Sequence, residues 1–304
     1  MDGMSDFNYD FDDILKVHNT STVLNYEVNE TFSDNSDHLF IIIESWLYVL
    51  ISMIGIFGNI VTCLVVFKKR RLQTPIYTFI GTLAVVDLVF ASVFTIVHPI
   101  TLNIGWIFGK FACSLVVFVD AFHQFYSVIL ITVAAWLSLC QEIHLKMAFI
   151  VNCIIAVCAT LWSLFASVFS QLFTDDTGIQ YCHVRFDVLR HLIILIIHTA
   201  LPLMVIVTSC FVRRSHSSTV RLFILIMIIN ILLTSPALVI LTFVRFSPPL
   251  YMVMSLVSHL TIAYKPLVYY VMDLNFKEES LSVIFRCFRR QQHREEYNIE
   301  FASV

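Results

Sequence analysis

Of the charged residues that fall within long apolar runs of the chain, three lie deepest: Asp87 within 76–99, Asp120 within 113–140 and Lys265 within 250–272. A charge in such a medium is costly, so it is kept for binding, for switching or for pairing with an opposite charge. Asp120 lies seven residues after Cys113, about two turns along a helix. One reading has its carboxylate accept a basic group from a ligand. The competing reading is an internal ion pair with Arg185, Arg190 or Arg245. His98, His123, His191 and His259 either line a cavity or are satisfied structural histidines. No motif pairs a nucleophile with a base, so there is no catalytic residue to name, and no Cys/His spacing suits a metal. The chemistry expected is recognition, not catalysis, and the chain is not expected to be an enzyme.

The elements that hold these residues follow from composition. Of 304 residues, 58% are hydrophobic and 13% charged, against about 45–50% and about 25% in soluble domains. The excess is grouped into seven runs, at 40–67, 76–99, 113–140, 147–173, 188–212, 218–245 and 250–272. Each approaches or exceeds the roughly 20 apolar residues of a membrane-crossing helix. Backbone groups in lipid must bond within their own segment, and the alternation of a membrane barrel is missing. The expected fold class is therefore an all-α membrane protein, a seven-transmembrane helix bundle with a short amphipathic eighth helix.

Charge sets the orientation. Lys68, Lys69, Arg70 and Arg71 fill the first connection, Arg213 and Arg214 the link after the fifth run, and Arg286, Arg289, Arg290 and Arg294 the C-terminal end. The positive-inside rule puts these on the cytoplasmic side and the N-terminus outside. Residues 1–39 hold nine acids against Lys16, about −8, which leaves about +5 for the rest of a chain whose formal total is −3. Four regions are expected: a disordered acidic outer tail at 1–39, the helix bundle at 40–273, an interfacial helix at 274–288 and a short cytoplasmic tail at 289–304. The first helix is read as a signal anchor, because no cleavable leader is evident. Membrane lipids are the expected surroundings and nucleic acid is not an expected partner.

Modification sites follow from this topology. Asn19-Thr20-Ser21 and Asn29-Glu30-Thr31 are N-glycosylation acceptors on the outer side. Tyr9 sits among Asp6, Asp10, Asp12 and Asp13, a setting for sulfation. The cluster is either bait for a basic ligand or an acidic solubilising tail. Cys287 is either palmitoylated or a free cytosolic thiol.

Specific residues carry a family resemblance. Gly58-Asn59, Leu83-Ala84-Val85-Val86-Asp87, Trp106-Ile107-Phe108-Gly109 followed by Cys113, Trp162, Pro202, Pro236, Pro266-Leu267-Val268-Tyr269 and Phe276 come in order along nearly the whole chain. Together they resemble the signature of rhodopsin-like (class A) G-protein-coupled receptors. Gly105–Phe111, Phe125-Tyr126-Ser127 and the acidic Met1–Lys16 look like chemokine receptors, especially the interleukin-8-receptor type. The resemblance implies a plasma-membrane receptor, a chemokine ligand held by Tyr9, Asp10, Asp12, Asp13 and Asp120, and a heterotrimeric G protein as inner partner. Cys113 and Cys182 are the two cysteines in predicted outer segments, where a disulfide is expected over two unpaired thiols.

Departures from the pattern are as informative. The inner end of helix three reads Leu137-Ser138-Leu139-Cys140 where the family has Asp-Arg-Tyr, and no Arg lies between Cys113 and Arg185. The sixth-helix motif becomes Leu233-Thr234-Ser235-Pro236 and the seventh-helix Asn-Pro becomes Lys265-Pro266. Ser138, Leu139, Cys140, Thr234, Pro236, Pro266 and Tyr269 are thus remnants of the activation motifs. Such erosion resembles virally encoded homologues of the gammaherpesvirus type in a host cell membrane.

In the family, residues matching Asp87, Lys265 and Ser127 surround a sodium ion. Lys265 puts an ammonium there, so an Asp87–Lys265 bridge is expected to replace the ion within a polar core that includes Asn59. No cofactor is then expected. The alternative has Lys265 snorkelling to the cytosol. Two functions follow: a chemokine receptor, of CXC type, signalling through G proteins even without ligand, or a non-signalling chemokine scavenger used in immune evasion.

Overall fold

The computed structural model describes residues 30–139, 144–174, 178–184, 193–211, 218–243 and 248–285. The chain divides into two units, 1–43 and 44–304. The first contributes only the helical residues 30–43, the start of α1 (Glu30–Lys68). In the second, α1 continues and a short 3₁₀ turn (Arg70–Leu72) follows. Then come α2 (Pro75–Ile104), α3 (Gly109–Leu139) and α4 (Leu145–Val168). A hairpin of β1 (Ser170–Thr174) and β2 (Gln180–Val184) precedes α5 (Leu201–Phe211) and α6 (Ser218–Phe243). Helices α7 (Pro248–His259), α8 (Thr261–Met272) and α9 (274–285) complete the described chain.

Local sequence explains the boundaries. Extended Thr74 precedes Pro75 at the first turn of α2, where a missing N–H costs nothing. Gly105 ends α2 with φ 78°, and a Cβ there would collide with Ile179 and Gln180. That close approach lets the Trp106 amide donate to the Gln180 carbonyl at 2.6 Å, pinning the hairpin to the α2–α3 turn. Helices of α1 to α4, at Leu39–Lys68, Pro75–Ile104, Gly109–Leu139 and Leu145–Val168, and of α6, at Ser218–Pro236, are long and apolar enough to cross a membrane.

Four expectations from the sequence change. The first helix begins at Glu30 rather than near residue 40, so 30–39 is helical and not disordered. Extending a formed helix is cheap, and acids such as Glu30 favour its N-terminal end. The fourth run does not stay helical to 173: Phe169 closes the helix and 170–174 form β1. The expected fifth span contains a π-turn at Ile196–Ala200, just ahead of Pro202, which cannot donate to the carbonyl four residues back. The seventh run is two helices, α7 and α8, meeting at Leu260.

The core centres on α3. Leu130, Ile131, Ala134 and Ala135 are buried against Val65 of α1, Phe79 and Leu83 of α2, Ala148 and Ala159 of α4, and Phe223 and Ile226 of α6. Small residues let the helices approach, as dispersion and hydrogen bonds must hold them where lipid is as apolar as the core. Asn152 supplies such a bond: Thr82 and Tyr126 both donate to its Oδ1 at 3.0 Å, joining α2, α3 and α4. Trp46, Phe57, Phe149 and Leu161 face outward, as lipid-facing positions should.

Candidate functional site

Three helices deliver one polar cluster to the middle of the bundle. Asp87 of α2 is buried, and Lys265 of α8 is 0% exposed. Lys265 Nζ donates to Asp87 Oδ1 at 2.7 Å. His123 of α3 lies 2.8 Å from the same oxygen through Nε2. Its ring stacks on Phe90 with centroids 4.0 Å apart. An ionised carboxylate only accepts, so this contact puts the proton of His123 on Nε2. The fully buried ammonium does not snorkel to the surface.

Proline chemistry ties α1 to the same cluster. Pro266 cannot donate to the Ile262 carbonyl four residues earlier. Asn59 Nδ2 donates to that carbonyl instead, at 3.0 Å, and to Gly55 O at 2.9 Å. Gly58 makes the approach possible: a Cβ on it would lie 2.9 Å from Pro266 Cβ and Cγ. Of the expected polar core, then, Asp87 and Lys265 meet directly, while Asn59 binds backbone. Ser127 Oγ is buried with no hydrogen-bond partner among the described residues. His123, expected only as a cavity or structural histidine, is the member that sequence reasoning did not place here. Its signal was position: it precedes Ser127 by one helical turn, on the same face.

The hairpin end of the bundle holds a second polar group. Cys113 and Cys182 form a disulfide with Cα atoms 5.5 Å apart, fastening β2 to the start of α3. Lys110 donates to the Ser170 carbonyl, and Ser114 and Ser170 share a hydrogen bond at 2.8 Å. Beneath, Asp120 Oδ1 accepts from Gln124 Nε2 at 2.8 Å. Arg185, Arg190, His191 and Arg245 lie outside the described residues or side chains. Tyr48 of α1 donates to Ser255 Oγ at 2.7 Å, and its ring lies 3.8 Å from that of His98. His259 bonds Ser52 at 2.8 Å and is buried.

At the opposite end, Ser138 bonds the Ala134 carbonyl and Leu139 is buried. Thr234 bonds the Asn230 carbonyl at 2.8 Å, two residues before Pro236 inside α6. Tyr269 is buried with its ring 5.8 Å from Phe276. Tyr264 donates to the Ile226 carbonyl at 3.1 Å, linking α8 to α6. Helix α9 is fastened to the α1–α2 connection: Lys69 reaches Glu279 and Ser282 at 2.5 Å each, and Arg71 reaches Glu278 at 3.1 Å. The Lys69 hydrogen bond holds the Glu279 carboxyl below the usual carboxylate range. Tyr77 donates to Asp273 at 2.6 Å, just before α9. Tyr9, Asp10, Asp12, Asp13, Asn19, Asn29, Cys140 and Cys287 lie outside the described residues.

Among the described residues, no group of three or more His, Cys, Asp or Glu could hold a metal ion. Comparison with known proteins gives this geometry a family. A human C-X-C chemokine receptor type 5 is 24% identical over 167 residues, 53% of this chain and 44% of the relative. G-protein coupled receptor E1 of equine herpesvirus 2 is 26% identical over 145 residues, 45% of this chain and 38% of the relative. Human neuropeptides B/W receptor type 2 is 32% identical over 111 residues, 34% of this chain and 31% of the relative. The matched stretches thus span less than half of each of these relatives. Residues 58–269 match the 7 transmembrane receptor (rhodopsin family). With its apolar membrane-length helices and its Cys113–Cys182 bridge, the chain belongs to that family: it is a multi-pass seven-transmembrane receptor, not an enzyme.

Proposed function

We propose that the chain is a chemokine receptor of the plasma membrane, with its N-terminus outside, that binds basic CXC-type chemokines and acts on heterotrimeric G proteins. The observation that carries this reading is the hairpin end: a β-hairpin pinned by a disulfide to α3, which carries the half-buried acid Asp120 two turns further on, with the buried acid Glu44 on α1 and an acidic sequence at 1–39 before it. Acids at the entrance steer a basic ligand and raise its on-rate. The likeness to C-X-C chemokine receptor type 5 supports the ligand class. The likeness to a herpesvirus receptor supports a viral origin and a host-cell membrane.

On this reading, ligand shifts the population of helix packings and opens the inner end. On this reading sodium has no place in the mechanism. Asp87 Oδ2, Asn59 Oδ1 and Ser127 Oγ have no donor among the described residues, but the Lys265 ammonium at Asp87 Oδ1 already supplies the positive charge that the ion would bring. A bound cation there would face the Lys265 ammonium at close range. One brake set by sodium in the family is then absent, which favours basal activity.

A second reading, a chemokine scavenger without signalling, is favoured by one observation. No Arg lies between Cys113 and Arg185, so α3 presents Ser138 and Leu139 where a basic G-protein contact belongs. Expression in cells with G-protein readouts, basal and with a chemokine panel, decides between them. Signal above vector control supports the receptor reading. Chemokine uptake without signal supports the scavenger. Failure of every chemokine to bind overturns both.

A further inference from the structure

The structure describes the side chains of six carboxylates: Glu44, Asp87, Asp120, Asp273, Glu278 and Glu279. Five have donors. Asp87 has Lys265 and His123, Asp120 has Gln124, and Asp273 has Tyr77 and the Phe276 amide. Glu278 has Arg71 and Glu279 has Lys69. Glu44 is the exception. It is 3% exposed, and neither Oε1 nor Oε2 has a hydrogen-bond partner among the described residues. A buried ionised acid with no donor is among the most expensive groups a fold can hold.

The surroundings of Glu44 are defined by its own helix. It lies one turn from Tyr48 on the same face of α1. The Tyr48 ring lies tilted against that of His98 of α2, and the next residue after Glu44, Ser45, accepts from Asn103 near the end of α2 at 2.9 Å. Glu44 therefore sits where α1 and α2 meet at the hairpin end of the bundle. His98 belongs to the same corner, and its Nε2 is a second buried atom with no partner among the described residues. The corner thus offers two carboxylate oxygens and an imidazole nitrogen, and Glu44 lacks a donor among the described residues. Its complement is a cation rich in N–H groups. A guanidinium fits best, because its planar fork donates to a carboxylate through two parallel bonds.

We propose that Glu44, assisted by His98, is a subsite for a guanidinium or primary ammonium group of the bound ligand. This deepens the receptor reading and rests on it for the ligand's identity, but the subsite itself can be tested without any chemokine. Asp120, already bonded to Gln124, is then not the main acceptor of the ligand's basic group.

The test uses the full chain in lipid nanodiscs, with arginine amide as the cationic probe and propylurea as a neutral control of similar shape. Binding is read by ligand-observed NMR and by the shift in thermal midpoint. Arginine amide is expected to bind and propylurea not to. Glu44→Gln should weaken arginine amide at least about tenfold, and His98→Phe by less. Equal binding of both probes, no binding of either, or retention of full affinity in Glu44→Gln overturns the proposal. If Glu44→Gln does not fold, the comparison of arginine amide with propylurea on the unaltered chain still decides. Chemokine binding without arginine amide binding removes the subsite and leaves the receptor reading standing. The reverse result removes the receptor reading alone.

Discussion

Removing the Lys265 ammonium perturbs the mid-bundle cluster most directly. Lys265→Met keeps most of the volume and leaves Asp87 Oδ1 with one donor, His123 at 2.8 Å. Breaking a buried ion pair costs about 3–5 kcal/mol, because the surviving charge stays buried. Here the surviving carboxylate keeps a second donor, worth about 1.5–3 kcal/mol for a charged group. Lys265→Met should therefore cost between about 0 and about 3.5 kcal/mol. Asp87→Asn is harsher, because it strands a fully buried ammonium beside a neutral amide, at roughly 3–5 kcal/mol. The double variant removes both charges and should cost at least about 2 kcal/mol less than the two single costs together. The assay is unfolding of purified protein in nanodiscs, followed by thermal midpoint for the four members of the cycle. Additive costs, or a Lys265→Met variant less stable than Asp87→Asn, would refute the reasoning, since His123 would then not be supporting Asp87.

Gly58→Ala should lower the thermal midpoint, at a cost of about 1–3 kcal/mol from overpacking, because the new methyl falls 2.9 Å from Pro266. Cys182→Ser should cost roughly 2–5 kcal/mol and release the hairpin, seen as faster amide exchange at 180–184. The contact of Lys69 with Glu279 should be sensitive to acid in one direction only. The folded Glu279 carboxyl titrates below its ordinary range. Its contribution is therefore present above that range and lost as pH falls through the lower, folded value. Amide exchange in α9 should stay constant from neutral pH to mild acid, after correction for intrinsic rates, and rise only below about pH 4. Glu279→Gln should show the raised exchange already at neutral pH.

Much of the outer architecture is legible in the chain because it depends on counting. Apolar runs longer than a bilayer, basic connections on one side and two cysteines in outer segments each restrict the answer on their own. The boundaries were less legible where apolar residues suit both helix and strand. Residues 170–173 read as the end of a helix but pair with 181–184, because their backbone partners lie across a turn rather than one turn back.

The site divides in the same way. Sequence by itself determined that Asp87, Asp120 and Lys265 had to be accommodated within apolar segments, since no arrangement of the helices can return those charges to water cheaply. It also determined that Pro266 would free a carbonyl. Which groups answer them was decided by tertiary structure. Asn59 takes the freed carbonyl only because Gly58 lets α1 touch α8. His123 shares Asp87 only because α3 turns that face toward α2. Glu44, inconspicuous at the edge of the first apolar run, becomes a buried acid without a donor among the described residues only once α2 packs beside it. Composition fixes the inventory of charges, but pairing depends on distances of a few ångströms between separate helices, and those distances exist only in the packed bundle.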